Sequence, residues 1–297
     1  LILPVFATNS CRAVCTASPE AGTKLLMIHA DDAGLSHSEN LATIEGLQGG
    51  SINSYSIMVP CKGFQEIADF ALDHPQFDYG VHLTLTCEWK DYKFGPVAPL
   101  KDVESLVDSD GHFYKNRSLL KSNAKPDEVE IELIAQIEKA LNYGLKPTHL
   151  DSHMYSLGLN DDFISVYKKV GQKYNLPILL NKDLLRSIDS SYQNSIGSDD
   201  FVVDKVYVGE YKDFEKDGLS DYYDFVLNDL NEGLNIILIH PAFDDLEMQQ
   251  ITEDHPNFGS RWRQIDFDFF TSQKCKSLLE ENNIRLISWN QITKLLK

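Results

Sequence analysis

The sequence predicts a single α/β domain, an irregular TIM-like β/α barrel, and three observations predict it. Strand-like apolar runs alternate with helix-like runs from about residue 23 to the C-terminus, the pattern of a parallel sheet with crossover helices. As many as eight strand-like runs can be read, which suits a barrel with one strand missing or distorted. Several of these runs end on aspartate or histidine, and in β/α barrels chemistry sits at the C-terminal ends of strands.

The elements follow in order. An apolar run over 25–31 is the first strand, and 39–48 is a short helix stopped by Gly49 and Gly50. A second strand is expected over 52–59, a helix over 63–72 and a third strand over 79–85. Residues 86–124 form a long irregular stretch with turn signals such as Asp110-Gly111, and a loop of that length is usually functional or mobile. The helix over 127–143 carries Val129, Leu133, Ile134, Ile137 and Leu141 on one stripe and ends at Gly144 and Pro147. A fourth strand begins at Thr148. Further on come a helix over 161–174, strands over 176–180 and 201–208, and a helix over 220–231. The strongly apolar strand 234–239, a helix over 265–282, a strand over 284–288 and a last short helix close the chain.

Bulk properties narrow the function. The chain has 297 residues, 42% of them hydrophobic and 24% charged, enough for a sizeable core. With 27 basic and 45 acidic residues its formal charge is −18, which argues against nucleic acid and anionic membranes as partners. A small neutral substrate such as a carbohydrate is compatible with that charge. No stretch approaches the roughly 20 apolar residues of a membrane span. Residues 1–22 differ in composition from the barrel domain at 23–297 and resemble the tail of a secretory or lipoprotein signal. Export to the periplasm or medium is expected on that ground, with a cytoplasmic leader as the plainer alternative. Cys11, preceded by Ser10, is a loose candidate for lipid attachment. Cys15, Cys61, Cys87 and Cys275 show no metal or disulfide spacing, so buried free thiols are expected beyond the leader.

The polar strand ends carry the chemistry. The first strand runs into Asp31-Asp32, the third carries His82, the fourth runs into Asp151-Ser152-His153, and 234–239 runs into His240-Pro241. Each has an ordinary explanation alone, as a cap, a turn or a hydrogen-bonded core histidine. Convergence on one end of one barrel suggests a divalent metal held by one carboxylate and two imidazoles, with a position left open for water. Such a set suits zinc. A spare aspartate can take the proton of that water, and His240 can protonate a leaving amine.

Four motifs in this order, HADDAGLS at 29–36, GVHLTLT at 80–86, KPTHLDSH at 146–153 and ILIHPAF at 237–243, resemble the YdjC-like carbohydrate deacetylase family. The resemblance implies a TIM-barrel-like fold and removal of acetyl groups from N-acetylated sugars such as chitooligosaccharides. It implies Asp32, His82 and His153 as metal ligands, Asp31 as proton acceptor, His240 as proton donor, and magnesium or another divalent ion. Arg263 and Asp266 resemble an Arg-x-x-acid pair that orients a catalytic group. His149 lies four residues from His153, about 13 Å along an extended strand, and is expected to support the site or the core. The family's Asn is His29 here and its Phe is Ala33, so a roomier wall is expected beside the aspartates. Glu88, Trp89, Tyr92, Phe94 and Tyr114 in the long loop could stack on sugar rings or pack the loop down. Two alternatives remain: hydrolysis of another ester or phosphoester, and carbohydrate binding without catalysis.

Overall fold

The computed structural model describes residues 22–188, 195–198 and 200–295. The leader expected over 1–22, with Cys11 and Cys15, lies outside the described residues apart from Gly22. Seven strands form one parallel sheet: β1 (Lys24–Ala33), β2 (Ser54–Ile57), β3 (Tyr79–Leu83), β4 (Leu150–Ser152), β5 (Lys205–Val208), β6 (Gly233–Ile239) and β7 (Ile284–Leu286). Their order is β4-β3-β2-β1-β6-β5, with β7 paired to β1. β6 runs along β1 from Lys24 to Ala30, whereas β7 takes Lys24 to Leu26 and β2 takes over from His29. β7 and β2 thus share one edge of β1 in succession, which makes the TIM-like barrel irregular.

β1 is buried from Leu25 to Ala33, as expected for a parallel strand covered on both faces. Its side chains alternate between two clusters. Leu26, Ile28 and Ala30 join the large core, while Leu25 and Met27 join a smaller one with Leu234, Ile236 and Trp289. His29 and Asp31 continue the second series and so face the same side as Leu25 and Met27.

Most expected elements are present, and the differences have physical reasons. The strand expected over 176–180 is a single bridge, Leu150↔Ile178. Pro177 has no N–H to give a ladder, and its carbonyl accepts from Leu150 N. This segment still links β4 to the chain before β5, because Val203 N donates to Leu180 O. The helix expected over 265–282 is two helices, Ser260–Thr271 and Gln273–Glu281. Ser272 breaks them: its backbone is extended and its hydroxyl accepts from Cys275 N as the second helix's cap. Gly144, at φ 105°, ends the helix Pro126–Tyr143 as expected.

The long stretch over 86–124 is packed down. Trp89, Phe94 and Phe113 are buried in the main core, with Tyr92 and Tyr114 against it. Buried Glu132 accepts from Val97 N and Ala98 N, and Gln136 both accepts from Thr84 N and donates to Thr84 O. The helix Pro126–Tyr143 thereby fixes the loop's course. Cys61, Cys87 and Cys275 are free, buried thiols.

Candidate metal centre

Alternation along a strand should send Asp31 and Asp32 to opposite faces. The structure brings both to one cavity through a local irregularity. Between Ala30↔Tyr55 and Ala33↔Ile57, β1 carries one more residue than β2, a β-bulge. Asp32 sits there with φ 64°, left-handed backbone that Asp tolerates better than most residues. Both carboxylates line a cavity of about 390 Å³ at the C-terminal ends of the strands. His82, Glu88, Asp151, His153, His240 and Arg263 line it too.

Asp32 is the hub. Its Oδ1 lies 3.0 Å from His153 Nδ1 and 3.3 Å from His82 Nε2. Its Oδ2 accepts from Arg263 Nη2 at 2.8 Å. Burial alone would raise Asp32, but the charges of His153 and Arg263 overcome it and hold the carboxyl well below its usual range. Arg263 is itself anchored: its Nη1 donates to buried Glu39 at 2.7 Å and its Nε to Phe258 O. Glu39 is pushed up to about 8 by burial, against the pull of Arg263.

The two histidines are held from behind by carboxylates. His82 Nδ1 donates to Asp151 Oδ1 at 2.7 Å and lies 3.0 Å from Ser56 Oγ. His153 Nε2 lies 3.1 Å from Glu88 Oε2. Burial lowers both imidazoles, yet Asp151 and Asp31 carry His82 well above its usual value. Glu88 and Asp32 likewise bring His153 to about 9. One ligand atom from each of Asp32, His82 and His153 lies within 4.8 Å of the others. A carboxylate and two imidazoles, each imidazole fixed through its second nitrogen by an acid, fit a divalent metal.

Asp31 stands beside this trio. Its Oδ1 is buried without a hydrogen-bond partner, 3.3 Å from His29 Nε2. Its Oδ2 is 3.7 Å from His240 Nε2. His240 packs on Phe258, its Nδ1 has no partner, and burial lowers it to about 4. Burial thus favours the neutral form of the ring that is expected to donate a proton.

The remaining expected residues divide. Arg263 orients Asp32. Asp266 accepts from the backbone N–H of His240 and the hydroxyl of Tyr223, so it fixes the turn that carries His240 and not its ring. His149 stays out of the trio and lies beside His29 and Asp151. Trp89, Tyr92, Phe94 and Tyr114 are absent from the cavity lining and pack the long loop down, the second of the two roles open to them, while Glu88 and Arg117 of that loop line the cavity. Ala33 is fully buried in the main core and does not line the cavity. The Ala at this position therefore adds no room beside the aspartates. The cavity also has apolar lining: Leu179, Val208 and Leu238 lie on the 176–180 segment, β5 and β6, and Tyr155 and Phe258 line it too.

A family model described as YdjC-like protein matches residues 25–281. The chain belongs to the YdjC-like family. Among its relatives, a carbohydrate deacetylase of Geobacillus stearothermophilus is 27% identical, over 91% of this chain and 98% of that protein. A carbohydrate deacetylase of Thermoanaerobacter pseudethanolicus is 28% identical, over 90% and 98%. A crystal structure from Enterococcus faecalis, provisionally described as a cellobiose-phosphate cleavage protein, superposes with a TM-score of 0.72. That protein is 28% identical, and the match covers 91% of this chain and 99% of the other.

Proposed function

We propose that this chain is a metal-dependent hydrolase that removes acetyl groups from N-acetylated sugars or oligosaccharides. The observation that carries this reading is the pairing of an unpartnered buried carboxylate oxygen, on Asp31, with a metal-compatible trio and a neutral imidazole. The names of the relatives supply the substrate class. A divalent ion on Asp32, His82 and His153 supplies Lewis acidity and a water of lowered pKa when bound. Ligand softness favours zinc, and the family resemblance favours magnesium.

The chain's own residues then handle the proton. Asp31 takes it from the attacking water, whose oxygen bonds to the acetyl carbon. His240, near enough to Asp31, receives the proton while its ring is neutral and passes it to the sugar nitrogen as the C–N bond breaks. One water is consumed, and acetate and a free amine leave. Arg263 keeps Asp32 ionised and turned toward the trio. Glu88 and Asp151 keep the two histidines in one orientation. Export, expected from the composition of residues 1–22, is part of this proposal.

Acetate release from N-acetylglucosamine oligomers by metal-loaded protein tests it. Acetate in step with new free amine is the expected result. Phosphate release from phosphorylated disaccharides with no acetate from any N-acetyl sugar would overturn it in favour of a phosphoester hydrolase.

A further inference from the structure

Beside Asp31 lies a second group, of which the reaction above uses only Asp151, through the oxygen that holds His82. His29, His149 and Asp151 are 1%, 0% and 2% exposed. A ring nitrogen from each histidine and an Asp151 oxygen lie within 4.8 Å of one another. We propose that these three residues form a second metal site for a zinc-class ion, separate from the one on Asp32, His82 and His153.

The tautomers point to it. Ser54 donates its hydroxyl hydrogen to Asp78 Oδ2, so the Ser54 oxygen, 2.9 Å from His29 Nδ1, is left to accept from that ring. Thr148 donates its hydroxyl hydrogen to Tyr79 O, so its oxygen accepts from His149 Nδ1 at 2.9 Å. Both rings therefore carry hydrogen on Nδ1 and present Nε2 as the coordinating atom. Fixing a ligand histidine through its other nitrogen is the usual construction behind a metal. His149 Nε2 has no partner at all, although it is buried. A lone pair left unpaired in the core is costly, and a cation removes that cost.

Packing holds His149 in this pose. Trp289 stacks on one face at 4.9 Å and 16°. On the other side only Gly80 fits, because a Cβ there would sit 2.5 to 2.7 Å from three ring atoms. Those near-equal distances place Gly80 over the ring face, leaving the in-plane lone pair of Nε2 clear. His149 and His29 meet edge to face at 5.1 Å. His29 Nε2 now shares a proton with Asp151 Oδ2 at 2.7 Å, and a metal ion would take that proton's place. Asp31 Oδ1 borders the group, and the cavity past Asp31 and Asp151 gives a way in. Two imidazoles and one carboxylate select zinc over magnesium, which prefers oxygen ligands.

Zinc content and anomalous diffraction test this independently of any acetate release, so either reading can fail alone. Wild-type protein stripped with a chelator and dialysed against zinc should hold about two zinc ions per chain. Zinc-edge maps should show one peak at Asp32, His82 and His153 and another at His29, His149 and Asp151. His29→Asn should lose the second peak and keep the first, and His153→Ala should do the reverse. Wild-type zinc confined to Asp32, His82 and His153, or a second zinc untouched by His29→Asn, would overturn the proposal. If His29→Asn fails to fold, the wild-type map decides: no peak at His29, His149 and Asp151 under saturating zinc rejects it.

Discussion

Asp31 and Asp32 are chain neighbours with different surroundings. Asp32 is tied on both oxygens, to Arg263 on one and to two histidines on the other, whereas Asp31 keeps a buried oxygen unpartnered. Asp31→Asn changes little volume, and the charge it removes lies 4.0 Å from His82 Nδ1, the nitrogen that faces Asp151, not Asp32. It should leave metal content and unfolding midpoint near wild type while lowering kcat by about 10²- to 10⁴-fold. Steady-state kinetics beside metal analysis checks this; unchanged kcat would remove Asp31 from the reaction. The trio, Asp31 and His240 were legible because each ends or follows an apolar run. The pairings of Glu88, Glu39 and His29 in the site were not legible. Their partners lie 65, 224 and 122 residues away in sequence, and no local pattern encodes such a pairing. For Asp151 a signal existed: it sits between His149 and His153 in the motif already singled out.

Strands were easier to read than their exact ends. Continuous apolar runs identified β1 and β6, whose faces are both covered. The bulge in β1 left no mark in the pattern, because it falls on Asp31-Asp32, where the apolar run has already ended. Nor did the break at Ser272, where a cap interrupts an otherwise helical stretch. β3 carries the most confined position among these elements. Gly80 pairs with Ser56 across the sheet and lies against the His149 ring. Gly80→Ala should push that ring off Trp289 and destabilise the fold by about 1–3 kcal/mol. Urea unfolding checks the magnitude, and wild-type stability in this variant would contradict the packing described.

Across the whole molecule, one buried acid makes stability depend on pH. Burial raises Asp266 from its ordinary 3.8 to about 7, against bonds from Tyr223 and the His240 N–H. The folded chain therefore holds a proton there that the unfolded chain gives up. That contribution is fully present below about pH 3.8 and is lost as pH rises toward 7. Asp266→Asn cannot release a proton, so its stability relative to wild type should improve between pH 4 and 7. Urea midpoints across that range measure it; a constant difference would show that Asp266 does not titrate there. The mouth of the barrel, finally, carries its charged and imidazole groups on β1, β3, the end of β4 and the turn after β6, where His240 follows Leu238 by two residues, while Leu179 and Val208 bring apolar lining from the 176–180 segment and β5. Neither of those two segments holds a residue assigned to the trio or to proton transfer. Substitutions at Leu179 or Val208 can therefore reshape what the cavity admits while the charged groups stay in place, so new specificities are open to this scaffold.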